Sequence, residues 1–225
     1  MNPCGSRRRV DLHNGAMTPG AETSLAGALL VASPTLDDPN FVRTVVLLLD
    51  HHDDGAVGVV LNRPSEVATR DALTLPPELP WVPAWADAAS EPAVVHVGGP
   101  VTPQVVVCLG RVRSWAAHPS RPTVAAPAGW TPLTGVVGAV DLDREPADLL
   151  GTVLALDALR VFAGYAGWGP GQLEHELRLG GWLVLKAEPD DAFTAKPETL
   201  WSRVLRRQGG ELALLHTMPA DPTQN

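Results

Sequence analysis

The chain has 225 residues, of which 45% are hydrophobic and 19% are charged, and its formal net charge is -8. This composition excludes disorder for most of the chain. The length suits one large domain or two small ones. No apolar run approaches the ~20 residues that a membrane-spanning helix needs, and an acidic chain is a poor candidate for a protein that binds nucleic acids through their phosphates. We therefore expect a soluble, cytoplasmic protein without membrane contact.

The first 22 residues have no apolar periodicity, and we predict a disordered leader over 1–22. Arg7–Arg9 resemble the start of a twin-arginine export signal. Polar and acidic residues separate them from the apolar stretch at Leu25–Ala32, so we expect no export. The folded domain is expected over 23–219, followed by a flexible tail over 220–225.

Short apolar strands separated by turns begin at Gly27. Three stretches are rich in Val and Leu and too short for helices, namely Gly27–Ser33, Thr44–Asp50 and Ala56–Leu61. The last two flank His51–Gly55, which ends in the Asp-Gly pair typical of hairpin connections. Both are apolar at nearly every position, which indicates burial on both faces of a sheet.

The rest of the sequence mixes further strands with short helices. We predict strands at Ala93–Val97, Gln104–Leu109, Gly135–Leu142, Leu159–Gly164, Trp182–Ala187 and Glu211–Leu215. We predict helices over 146–156, 172–179 and 198–208. Irregular chain with one short helix is expected over 62–92, and a surface loop over 111–134. Strands and helices without a regular βαβ period indicate a single α+β domain.

Several motifs occur in a definite order along the chain. They are Leu29–Ala32, Asp38–Phe41 with Arg43–Val46, His51 followed by Gly55–Pro64, Gly98–Val101, Gly164–Glu176, and Trp182. In order and spacing they are similar to the AlgH/YqgE family of bacterial proteins, and the resemblance covers about 27–219. It implies a compact domain built on a mixed, strongly curved β-sheet with covering helices.

The resemblance implies no biochemical activity, because the family has none established, although its members are often labelled as transcriptional regulators. It supplies no catalytic residue, metal or cofactor. The sequence departs from the family pattern at Gly180, where an Asn usually stands two residues before the tryptophan matching Trp182. It also diverges over Thr134–Asp148.

The polar and glycine-rich motif positions are the candidate contact residues, because loops borne on a rigid scaffold carry most binding functions. They are His51, Asn62, Arg63, Gly98, Gly99, Gly167, Trp168, Gln172 and Glu176. We expect the Asn62–Pro64 turn to meet the Gly164–Glu176 segment, with Trp168 as the apolar wall of a small polar site. In the alternative interpretation, Trp168 fills the core and the glycines only permit tight packing.

Helical geometry sorts the side chains of 172–179. Leu173 and Leu177 share the buried face. Gln172 and Glu176 lie on one flank, and Glu174 and Arg178 form an i,i+4 pair on the other, with His175 facing solvent. The two carboxylates diverge, which argues against an acid–base dyad.

Other candidate chemistry is weaker. His51, His52, Asp53 and Asp54 resemble metal ligands, but adjacent strand residues point to opposite faces, so we expect a turn and no metal. Gly167–Gly171 lacks the Lys-Ser/Thr ending of a P-loop, which favours a tight turn over a phosphate site. Cys108 is expected to be a buried, inert thiol. Finally, three arginines lie on one face of the last predicted helix, namely Arg203, Arg206 and Arg207. We expect this face to be solvated and not to contact DNA.

Two functions remain open. The first is a non-enzymatic binding or regulatory domain for an unknown protein or small ligand, with no cofactor and no sequence-specific DNA binding. The second is a hydrolase-like enzyme with a polar cleft formed by His51, Asn62, Gln172 and Glu176.

Overall fold

The structure is a computed structural model that describes residues 24–73, 82–113, 128–145, 149 and 156–218. Its strands are β1 Ala28–Ala32, β2 Val45–His52, β3 Gly55–Val60, β4 Pro64–Ala68, β5 Val94–Val97, β6 Val101–Val112, β7 Trp130–Thr134, β8 Val137–Val140, β9 Leu156–Trp168 and β10 Trp182–Lys186. Its α-helices are α1 Thr69–Leu73, α2 Val82–Asp87, α3 Gln172–Arg178, α4 Leu200–Arg206 and α5 Gly210–Leu214. Single 3₁₀ turns lie at Pro197–Thr199 and Leu215–Thr217.

The described strands form one curled, mostly antiparallel sheet in the order β10-β1-β2-β3-β9-β6-β8-β7. β5 pairs with β9 in parallel and also with β4. β9 bends at Gly164, whose φ is +71°, a conformation that glycine adopts without steric cost. Before the bend β9 pairs with β5, and after it β9 pairs with β3. The α+β class and the mixed, curved sheet are confirmed.

Side chains that alternate along β1 enter two different apolar clusters. Leu29 and Val31 pack in a cluster under α4, whereas Leu30 and Ala32 pack in a second cluster with Leu173 of α3. A third cluster forms beneath α1 and α2. Burial on both faces explains why the strands at this end of the sheet are apolar at nearly every position.

Several predicted elements differ from the structure. Glu211–Leu215 is not a strand: Gly209 and Gly210 have positive φ, and the short apolar run after them forms α5. The strand predicted over Leu159–Gly164 extends to Trp168, beyond the start of the glycine-rich stretch Gly167–Gly171, because Ala166–Trp168 pair with β3. Residues 62–92 contain β4 as well as two helices, and β7 lies within the expected loop of 111–134.

Some predictions fall on chain that the structure does not describe. The leader over 1–22, the tail over 220–225 and nearly all of the helix over 146–156 lie outside the described residues. Of that helix, Leu149 is buried in the third cluster and Leu156 already belongs to β9. Among the described helices, none is long and apolar enough to cross a membrane.

Candidate functional site

His51 lies at the end of β2 with both ring nitrogens engaged. The residue is only 8% exposed. Its Nδ1 accepts the backbone N–H of Leu25 at 3.1 Å, so the ring proton of the neutral imidazole sits on Nε2. That nitrogen donates to Oε1 of Glu174 at 2.7 Å. The hydrogen bond from His51 lowers the pKa of the Glu174 carboxyl.

Adjacent side chains of this hairpin diverge, as strand geometry requires. His52 is exposed, and its Nε2 lies 2.8 Å from Oδ1 of Asp50. Within the described residues, no group of three or more His, Cys, Asp or Glu side chains is placed to hold a metal ion.

Asn62 extends the backbone ladder beyond the end of β3. Its Oδ1 accepts the N–H of Val45 at 2.9 Å, and its Nδ2 donates to the carbonyl of Arg43 at 2.9 Å. Arg63 next to it donates from Nη2 to the carbonyl of Pro39 at 3.1 Å. Both residues therefore hold the loop that precedes β2, here called the 38–43 loop.

Glu176 on α3 collects three side-chain hydrogen bonds. Its Oε2 accepts the indole N–H groups of Trp168 at 3.0 Å and Trp182 at 2.8 Å. Its Oε1 accepts from Nε2 of Gln172 at 2.9 Å, and Oε1 of Gln172 accepts the N–H of Gly169 at 3.1 Å. One carboxylate thus joins the last residue of β9, the first residue of β10 and the first turn of α3.

Three aromatic rings pack beside that carboxylate. The Trp168 and Trp182 ring centroids lie 5.9 Å apart in an edge-to-face arrangement. Phe41 stacks on Trp168 at 6.2 Å and meets Trp182 edge-on at 5.4 Å. Trp168 is 6% exposed and Trp182 is 3% exposed, so the two indoles belong to the core more than to the surface.

The 38–43 loop links the two motif regions. Phe41 packs on Trp168, while the carbonyls of Pro39 and Arg43 take the hydrogen bonds of Arg63 and Asn62. Arg43, the last residue of the 38–43 loop, has a φ of +53° and fixes the end of the loop through its side chain. Its guanidinium lies 4.9 Å from the Trp201 ring centroid and donates to the carbonyl of Met218.

The candidate glycines fall into two kinds. Gly98 and Gly99 are buried where the chain crosses β9, and a Cβ on either would lie 2.3 Å from backbone atoms of Gly164 or Tyr165. Gly167 is exposed, and the nearest atom to its Cβ position is Cε2 of Tyr165 at 3.4 Å. The first two are packing positions, and Gly167 has room for a side chain.

Side chains of α3 lie on the predicted flanks, with one change of partner. Leu173 is buried, Leu177 is half-buried and His175 is exposed. The Glu174 carboxylate bonds to His51, whereas Nε of Arg178 donates to the Glu174 backbone carbonyl at 3.3 Å. Local spacing suggested Arg178 as the partner, and the sheet brings His51 closer.

A buried charged group was missed by sequence reasoning. Arg160 of β9 is 2% exposed, its Nη1 lies 2.7 Å from Nε2 of His96, and its Nη2 donates to the Glu91 carbonyl at 2.8 Å. Burial first, and then the Arg160 charge, lowers the pKa of His96 to about 4. Burial also lowers the pKa of Arg160 to about 10. An arginine inside the apolar run of β9 was the available signal.

Two other expectations can be placed. On α4, Leu200, Val204 and Leu205 are buried. Arg207 makes a two-pronged ion pair with Asp191 at 2.6 and 2.7 Å, and Arg203 donates to Thr194, so both arginines are engaged within the chain. Cys108 is 3% exposed, and burial raises the pKa of its thiol, as expected for an inert residue.

The candidate residues thus form intramolecular contacts rather than one shared set. His51 is paired with Glu174, Asn62 with backbone, and Gln172 with Glu176. The exposed parts of the region are the tip of the 38–43 loop, Gly169–Gln172 and the end of α3, where Leu179 is 73% exposed.

Comparisons with known proteins agree with the fold. A family model described as AlgH-like matches residues 29–213. A "UPF0301 protein" of Streptomyces avermitilis is 50% identical over 204 residues, which cover 90% of this chain and 96% of the relative. The corresponding protein of Thermobifida fusca is 45% identical over 209 residues, 90% of this chain and 96% of the relative.

Two solved structures are similar over nearly the whole chain. A crystal structure of a Corynebacterium diphtheriae protein has a TM-score of 0.71 and 29% identity, covering 88% of this chain and 93% of that one. The solution structure of the AlgH protein from Pseudomonas aeruginosa has a TM-score of 0.61 and 30% identity, covering 90% and 98%.

Proposed function

The chain belongs to the AlgH-like family, and we propose that it is a non-enzymatic binding domain. The proposed contact surface, here called the α3 surface, consists of Asp38–Asn40, Gly169–Gln172 and Leu179. We expect this surface to bind a protein or small-ligand partner in the cytoplasm, and we expect no sequence-specific DNA binding.

The observation that carries this proposal is the fixation of α3. A helix of seven residues is unstable alone, yet its two carboxylates accept hydrogen bonds from three side chains outside the helix, those of His51, Trp168 and Trp182. Its outer residues stay exposed. A surface held rigid before a partner arrives loses little conformational entropy on binding.

The state of the polar motif residues favours binding over catalysis. A general base needs a lone pair within hydrogen-bond reach of the substrate. Both nitrogens of His51 are engaged, and so are both amide atoms of Asn62 and both oxygens of Glu176. These side chains shape and hold the surface. Arg203 and Arg207 are likewise bonded within the chain, which argues against a DNA contact by the basic face of α4.

Site-specific photocrosslinking tests the proposal. A photoreactive phenylalanine analogue replaces Leu179 in one protein and Leu214 in another, because Leu214 is 66% exposed on α5 and serves as the matched control. In bacterial extract we expect a discrete adduct from position 179 alone, suppressed by excess unmodified protein. Equal adducts from both positions, or none from 179, would contradict the α3 surface. Hydrolysis of a substrate by purified protein, lost in Glu176→Gln, would favour the enzyme instead.

A further inference from the structure

The start of the described chain is fastened to one residue. Oγ of Ser24 donates to the carbonyl of His51 at 3.0 Å, and the N–H of Leu25 donates to Nδ1 of the same residue at 3.1 Å. From there the chain enters β1, whose approach is fixed by the N–H of Gly27 on the Leu48 carbonyl at 2.8 Å. His51 is therefore the side-chain anchor of the segment that leads into the sheet.

The anchor depends on the protonation state of the imidazole. Only an unprotonated Nδ1 has the lone pair that Leu25 needs. A proton on Nδ1 sets two N–H groups against each other, and the hydrogen bond is lost. On the opposite side of the ring, Nε2 keeps its proton and its bond to Glu174, which an imidazolium strengthens. One proton thus breaks one contact of His51 and reinforces the other.

We propose that His51 is a proton-sensitive latch: neutral, it holds Leu25 against β2, and protonated, it releases Leu25 while staying bound to α3. The site has the form of a switch because the ring is buried between two partners with opposite responses. This inference concerns the approach to β1 and does not rest on the proposed contact surface.

Titratable and charged groups face the latch from two elements, α3 and β2. From α3, Glu174 faces Nε2, with Arg178 one turn further along the helix. On β2, Oδ1 of Asp50 accepts the backbone N–H of His51 and also pairs with His52. The facing strand β3 and the approach to β1 from Ser24 to Gly27 carry no charged residue. The released state therefore leaves the imidazolium beside a carboxylate instead of uncompensated.

Nuclear magnetic resonance of the full-length protein measures the latch directly. Amide exchange at Leu25, divided by its intrinsic rate, is followed from about pH 8 to about pH 5, the range in which imidazoles change charge. The matched control is the amide of Val45, which donates to Oδ1 of Asn62, a side-chain acceptor that does not titrate. The nitrogen chemical shifts of the His51 ring report its protonation in the same samples.

We expect Leu25 protection to fall on the order of tenfold relative to Val45 as Nδ1 takes up its proton, as the loss of one hydrogen bond implies. His51→Asn places an oxygen near the position of Nδ1, so Leu25 protection should persist at acid pH. His51→Gln retains a donor toward Glu174 without the Nδ1 acceptor, so protection should be low at every pH.

Three results would overturn the latch. The first is a constant ratio of Leu25 to Val45 protection while the ring shifts show protonation of Nδ1. The second is a ring that protonates nowhere in the range, which would leave the anchor permanently closed. The third is a parallel loss of protection at Leu25 and Val45, which would mean that the whole edge of the domain opens.

Discussion

The guanidinium of Arg160 lies 2.7 Å from the imidazole of His96, and both side chains are buried. Among the described residues, no carboxylate lies within ion-pair distance of this arginine, and its Nε has no hydrogen-bond partner. The pair therefore places a positive charge in the domain interior beside a histidine that must stay neutral.

A pH dependence of stability follows from His96. The pKa of His96 is lowered from 6.5 to about 4 in the folded protein. Below pH ~6.5, therefore, this histidine binds a proton in the unfolded chain but stays neutral in the folded one. The free energy of unfolding is therefore unaffected by this histidine above pH ~6.5. It decreases as the pH falls toward 4, by an amount on the order of 3 kcal/mol. Denaturant unfolding of wild type and His96→Gln between pH 7 and pH 4.5 measures it. The two free energies should converge in acid, and parallel curves would contradict the prediction.

The second prediction concerns Glu176. Glu176→Ala leaves the N–H groups of Trp168 and Trp182 without an acceptor in the core, and each buried unsatisfied donor costs about 1–3 kcal/mol. We expect a loss of about 2–5 kcal/mol in the free energy of unfolding. Glu211→Ala, at an exposed site on α5, is the control and should change it by less than about 0.5 kcal/mol. Equal effects of the two changes would show that the indoles find other partners.

Much of the sheet was predictable because most of its strands have a clear local sequence pattern. β2 and β3 are short apolar runs around an Asp-Gly turn, and the structure places them as a hairpin. The end of β9 was not predictable in the same way. Gly164 and Gly167 are residues typical of strand ends and turns, yet pairing with β3 extends the strand to Trp168. Similarly, the short run in α5 satisfies a strand pattern and a helix pattern equally well.

The candidate region was predictable residue by residue but not in its pairings. Helical spacing put Glu176 and Gln172 on one flank of α3, where they do bond to each other. No local rule, however, could bring His51 to Glu174, 123 residues away, because that contact exists only after the strands between them have assembled. The contact of Trp182 with Glu176 depends on the turn that joins α3 to β10. Whether the surface they build binds a partner stays a prediction.

Asn62 offers a test with opposite pH behaviour. In Asn62→Asp the oxygen near the Val45 N–H is retained, while the second oxygen faces the carbonyl of Arg43. A carboxylate there is repelled, so we expect a loss of about 2 kcal/mol or more at pH 7. Protonation turns that oxygen into a donor to Arg43, and the loss should shrink in acid. Asn62→Ala lacks this feature and is the control. A deficit of Asn62→Asp that grows in acid relative to Asn62→Ala would refute the assigned hydrogen bonds.

Two of the candidate glycines, Gly98 and Gly167, should respond oppositely to the same added methyl group. In Gly98→Ala the Cβ would lie 2.3 Å from the Gly164 carbonyl oxygen and 3.1 Å from Cβ of Phe162, so β9 itself must move. The φ of Gly98 is not positive, and the cost is therefore steric. We expect a loss of about 3 kcal/mol or more, near the upper end for overpacked interiors.

Gly167→Ala is the matched comparison, because its Cβ has no neighbour nearer than 3.4 Å and its φ is not positive. A methyl group there also reduces the freedom of the unfolded chain, so stability should be unchanged or rise by less than about 1 kcal/mol. Thermal unfolding of both variants beside wild type decides the matter, since about 3 kcal/mol corresponds to roughly 6–12 °C for a domain of this size. Equal melting temperatures for the two variants would mean that the crossing at Gly98 is looser than the 2.3 Å approach requires.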